Sequence, residues 1–102
     1  MIDFISFDLQ MVKPGSYELK PISGAQIRAA RALVGWTAED LAREAMLGVA
    51  TIRRAEAADG TVQMTAANLQ SVLNSFRRVG VLFMREEGKG FGVFLLTKPE
   101  GT

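Results

Sequence analysis

The stretch TAEDLAREAMLGVATIRRAE, Thr37 to Glu56, carries two short helical patterns separated by three residues. Thr37 followed by Asp40 has capping-box spacing, a hydroxyl for the third helical N–H and a carboxylate that reaches back to the cap. Trp36 and Leu41 flank it at the spacing of a hydrophobic staple, so the first of these helices is expected to run to about Ala45. Met46, Leu47 and Gly48 form the connection. Gly48 is an acceptable N-cap, and Leu47 with Ile52 repeats the staple at the start of the second helix, which is expected to stop near Asp59 and Gly60. On a helical wheel Ile52 and Ala55 share the inward side. Ala50, Arg53, Arg54 and Ala57 fall on the opposite side, with Val49 at the N-terminal flank.

The same punctuation extends in both directions. Upstream, Ser23 with Gln26 forms another capping box, with Ile22 and Ile27 at staple spacing, and Gly35 offers the left-handed residue that closes a helix over 24–34. Downstream, Thr65 opens a helix whose apolar positions Leu69, Val72, Leu73, Phe76 and Val79 form one inward stripe ending at Gly80. From Val81 the pattern changes to two β-prone runs, Val81 to Arg85 and Phe91 to Leu96, separated by a glycine-rich turn. Both runs are apolar on both faces, more than one helix stripe covers. The N-terminal residues Ile5, Phe7, Leu9 and Met11 alternate like an extended arm, followed by the turn Lys13 to Ser16.

With 102 residues and 48% apolar side chains, the chain has material for one small core. Histidine and cysteine are both absent, which excludes Ser-His-Asp and Cys-His nucleophiles, Cys/His zinc sites and disulfides. Neither an enzyme nor a cofactor is expected. The longest apolar runs fall far short of the roughly 20 residues that span a bilayer, and the N-terminus lacks a basic region, so the expectation is a cytoplasmic chain without membrane attachment. Net charge is +1 and evenly spread, so nucleic-acid binding must rest on where particular arginines point.

Two short helices joined by about three residues and flanked by further helices describe a helix-turn-helix. Residues 26–56, from Gln-Ile-Arg-Ala-Ala-Arg through Leu41-Ala42-Arg43 to Thr51-Ile52-Arg53-Arg54-Ala55-Glu56, resemble the Cro/repressor-type helix-turn-helix family of phage repressors and xenobiotic-response-element regulators. The resemblance, extending over Ser23 to Gly80, implies a mostly α, lambda-repressor-like bundle of about four helices, here with a C-terminal β-hairpin and an extended N-terminal arm. The implied segments are residues 1–22 as arm, 23–80 as DNA-binding domain and 81–102 as hairpin and tail.

What the resemblance implies for function is a homodimeric regulator of transcription, a repressor in the first place with an activator or a DNA-binding antitoxin as alternatives, reading double-stranded DNA with the outward face of the second helix of the motif. Base or phosphate contacts would come from Gly48, Val49, Ala50, Thr51, Arg53 and Arg54, with Arg28 and Arg43 near phosphates. Thr37 and Ala38 stand at a helix N-terminus, which attracts phosphate. Arg31 and Glu56 occupy positions that the family pairs as a structural ion pair. The chain departs from the family pattern where Ala38 replaces a phosphate-binding glutamine, Met46 the turn glycine and Gly48 a hydroxyl residue, each of which lowers expected DNA affinity. The other reading is a protein-interaction module or antitoxin-like partner-binding protein whose reading face has decayed. Phe83, Phe91, Val93, Phe94, Leu95 and Leu96, spread over both hairpin faces, are the expected dimer contacts, since an uncovered apolar face with an open edge invites association; the Ile5 to Met11 arm, in the same chain or across the dimer, is the alternative cover. The Gly88-to-Gly92 segment lacks the strand–loop–helix context of a phosphate loop and reads as a hairpin turn.

Overall fold

Local capping chemistry sets the helix starts in the computed structural model, which describes residues 22–58, 60–86 and 88–96. The expected N-terminal arm, apart from Ile22, and the tail after Leu96 lie outside these residues. Helix α1 spans Gly24–Val34. At its start Ser23 Oγ accepts from the Gln26 N–H at 3.1 Å, and Gln26 Oε1 accepts from the Ser23 N–H at 2.8 Å. Gly35 ends it in the left-handed region at φ 73°. Helix α2, Ala38–Ala45, opens on a second reciprocal box between Thr37 and Asp40, at 2.9 and 3.0 Å.

The chain leaves α2 through Met46, which adopts φ 60° and is 89% exposed. Glycine takes that conformation without steric cost, whereas methionine holds it under strain of roughly 1–2 kcal/mol. Helix α3, Val49–Ala57, follows, and extended backbone at Ala58 ends it slightly before the expected stop. Helix α4, Ala66–Arg78, is capped by Thr65.

Strands β1, Val81–Glu86, and β2, Gly90–Leu95, form an antiparallel hairpin in which Phe83 pairs with Val93 and Met84 with Gly92. The inner face of the hairpin rests on two helices, β1 against α4 and β2 against α1, rather than on α4 alone. One core results: Ile27, Leu41, Ile52, Val72, Phe76 and Val81 are buried within it. Trp36 stacks on Phe76 at 5.3 Å, and Phe83 meets the same ring at 5.5 Å.

Two side chains depart from the expected placement. Val79 is 42% exposed instead of facing inward, because it is the C-cap of α4 and its φ of −108° and ψ of 16° leave the helical path that carries the stripe. Phe83 is 2% exposed and held by Phe76, so it belongs to the core of its own chain and offers nothing to a dimer partner.

The segment before α1 is tied to the loop after α3. The Val62 N–H donates to the Ile22 carbonyl at 2.9 Å, and the Gly24 N–H to that of Gly60 at 3.2 Å. This brings α1 so close to the end of α3 that a Cβ on Gly24 would lie 2.7 Å from the carbonyl oxygens of Ala55 and Glu56 and 2.9 Å from that of Ala58. Backbone cannot rotate away as a side chain does. Gly24→Ala is therefore expected to cost about 1–3 kcal/mol, the range for overpacking a close contact. Urea unfolding checks this, and a variant as stable as the parent would mean that the two helices separate without penalty.

Candidate nucleic-acid interface

Helix α3 presents the outward stripe of the wheel to solvent: Ala50, Arg53, Arg54 and Ala57 are all exposed, while Ile52 and Ala55 are buried on the reverse side. Val49 and Thr51 are half-buried, and Val49 packs against the core. Gly48 is exposed, and its carbonyl accepts the first backbone bonds of α3 from Thr51 and Ile52. It supplies no side-chain cap, and among the described residues nothing beyond its chain neighbours lies within 4 Å of the place a Cβ would take.

The other end of α3 is clamped. Arg31 Nε donates to Glu56 Oε2 at 2.6 Å and Arg31 Nη2 to Glu56 Oε1 at 2.8 Å, a bidentate pair, while Arg31 Nη1 reaches the Trp36 carbonyl at 3.0 Å. Donation to the Glu56 carboxylate raises the Arg31 pKa further above its already high ordinary value, against the opposing effect of burial. One guanidinium thus joins α1, the start of the α1–α2 connection and the end of α3. Arg28 donates to the Glu56 backbone carbonyl, which places it beside the C-terminal end of α3, away from the N-terminal turn that would meet base edges.

Carboxylates accompany two of the remaining cations. Arg43 pairs with Asp40 at 2.6 Å within α2, and Arg53 reaches across from α3 to Glu39. Arg54 differs: its partner is Thr51 Oγ1 at 3.4 Å, and among the described residues it meets no carboxylate. Asp40 is held below the usual carboxylate range, first by the Thr37 N–H and then by Arg43. Thr37 and Asp40 satisfy each other at the N-terminus of α2, and half-buried Ala38 packs against the core, so that terminus is less open to an anion than its sequence implies.

Sequence reasoning names the arginines, reads Asp40 as a helix cap and assigns Glu39 no role. The Asp40–Arg43 contact has the i, i+3 spacing of neighbours on a helix surface and was legible in principle. Glu39–Arg53 joins separate helices, and no spacing rule reports it.

On the hairpin, Phe91, Leu95 and Leu96 are exposed, with the Arg85 guanidinium 5.8 Å from the centre of the Phe91 ring. Val93 is half-buried against the core, and Phe94 is half-buried and engaged in a contact. Among the described residues no helix is long and apolar enough to cross a membrane. No protein-family model and no curated protein matches the chain.

Proposed function

We propose that the chain is a sequence-specific, double-stranded-DNA-binding regulator of transcription of the Cro/repressor helix-turn-helix type, with α2 and α3 as the motif and α3 as the reading helix. The observation that carries this reading is the stripe of Ala50, Arg53, Arg54 and Ala57 exposed on α3 while its other side is locked by Ile52, Ala55 and the Arg31–Glu56 clamp. A reader helix needs that combination: a rigid seat, and a free edge carrying a donor fork that fits guanine. Small residues at 50 and 57 allow close approach to the groove, and Arg54 carries the guanidinium of this stripe that meets no carboxylate among the described residues.

Selection of duplexes from a random library by the intact protein tests the reading. Enrichment of a sequence motif is expected, and Arg53→Ala with Arg54→Ala should erase it while leaving the circular dichroism spectrum unchanged. Each bidentate guanine contact contributes about 1–3 kcal/mol of discrimination. A pool that stays random through repeated rounds would refute the assignment.

Repression as a homodimer belongs to the same proposal. Phe91, Leu95 and Leu96 leave apolar surface exposed on β2 and just beyond it, and a two-fold partner covering it would bring two reading helices to half-sites about one DNA turn apart. Sedimentation equilibrium should give a dimer at micromolar concentration, and a monomer there would remove the half-site model. The second reading, a protein-interaction module, draws support from the pairing of Arg43 and Arg53 with carboxylates. Under it the library selection yields no motif.

A further inference from the structure

The outward arginines differ in what they meet, and the difference lies in one residue of α2. Glu39 sits in the first turn of that helix, and its carboxylate accepts from the Arg53 guanidinium of α3. Both side chains are more than half exposed, so the pair is open to water and to any competing anion. Carboxylate and phosphate oxygens are alternative partners for the same guanidinium fork. A phosphate contact adds affinity without sequence information, whereas a base contact adds discrimination.

Resting on the DNA-binding reading above, we infer that Glu39 is a specificity-determining residue: it occupies Arg53 where a backbone phosphate would otherwise bind, and so holds down sequence-independent affinity. Arg54, whose one bond among the described residues is to the Thr51 hydroxyl, is left to dominate recognition. Glu39 is suited to this because the capping box of α2 is made by Thr37 and Asp40, and Glu39 takes no part in it. Its carboxyl is held below the ordinary range by its own backbone N–H, then by Arg53, with a smaller contribution from the Thr37 hydroxyl. The charge is therefore fully present at neutral pH. Asp40 also holds an arginine, but it cannot be removed without opening the helix cap.

Glu39→Gln keeps the shape and removes the charge. The test measures fluorescence anisotropy of a labelled random-sequence duplex over a range of salt for the parent, Glu39→Gln, Arg53→Ala and the double variant. Random-duplex affinity at low salt should rise by about fivefold in Glu39→Gln, the scale of an exposed ion pair. The slope of log affinity against log salt should steepen by about 0.9, one more neutralised phosphate. Both changes should vanish in the Arg53→Ala background, and the ratio of selected to random duplex affinity should fall in Glu39→Gln. An unchanged slope, or a gain that persists without Arg53, overturns the inference while the parent still binds DNA. If parent and variants alike bind no duplex at low salt, the DNA-binding reading falls and takes this inference with it.

Discussion

Arg31→Ala is expected to lower stability by about 3–5 kcal/mol, the cost of leaving one member of a buried ion pair without its partner. Glu56 is the member left behind. Its side chain is 9% exposed, against 21% for Arg31, so the carboxylate has little water to replace two short hydrogen bonds. Arg28, which reaches the Glu56 backbone carbonyl rather than its carboxylate, does not restore them. The removed guanidinium also leaves the Trp36 carbonyl without that donor. For a domain of this size the thermal midpoint should fall by about 4–8 °C per kcal/mol, of order 20 °C in all. Converting both residues together, Arg31→Met with Glu56→Leu, should recover much of the loss, because an apolar pair leaves no stranded charge. A midpoint that moves by less than about 1 kcal/mol's worth in Arg31→Ala would put the pair in the class of solvent-exposed bridges. The consequence for function follows from geometry: the clamp fixes the C-terminal end of α3, so loosening it should blur the angle at which Arg54 is presented.

What was legible in the sequence was mostly what is settled within one turn of helix. Ser23 with Gln26, Thr37 with Asp40, and Gly35 each report a helix end through contacts three or four residues apart, and the observed helices begin and end close to where those signals stand. The hairpin was legible too, because a change from helical to alternating period is a local property of the chain. Val79 and Phe83 mark where this stops. Val79 continues the apolar period on paper, but the helix ends beneath it; Phe83 looks like exposed strand surface until α4 is seen to bring Phe76 against it. Gly24 gives no signal as a helix residue, since its reason is the backbone of α3 some thirty positions away. At the candidate site the outward direction of Arg53 and Arg54 follows from helical periodicity alone. Their inequality does not, since it depends on α2 laying Glu39 beside α3.

Gln26 separates local from tertiary logic most sharply, and Gln26→Glu is the second large effect expected. Judged by the capping box alone the change is harmless, because glutamate serves at the third helical position as well as glutamine does. In the folded chain the amide also bridges to the hairpin. Its Nε2 donates to the Met84 carbonyl at 2.9 Å and the Gly92 carbonyl at 3.0 Å, tying α1 to both strands at a paired position. Gln26 is itself buried. A carboxylate has no hydrogen to donate, so the substitution leaves two carbonyl oxygens facing a negative charge where water is scarce. Each unsatisfied group costs about 1–3 kcal/mol, and the charge adds to that, for a loss of about 4 kcal/mol or more at neutral pH. The sign of the pH dependence is fixed by the same contact. Burial beside two carbonyls raises the folded-state pKa of the introduced carboxyl above its unfolded value of about 4.3. Its penalty is therefore smallest below that unfolded value, where the protonated acid can donate to one carbonyl. It grows as pH rises towards the folded-state pKa and is constant above it. Gln26→Leu should show a loss that does not change over this range relative to the parent. Hydrogen exchange should place the damage in β1 and β2 first, with α2 and α3 still protected, since only the hairpin loses its tie. If Gln26→Glu matches the parent in stability at neutral pH, the hairpin is held by its apolar face alone and the amide bridge contributes nothing measurable.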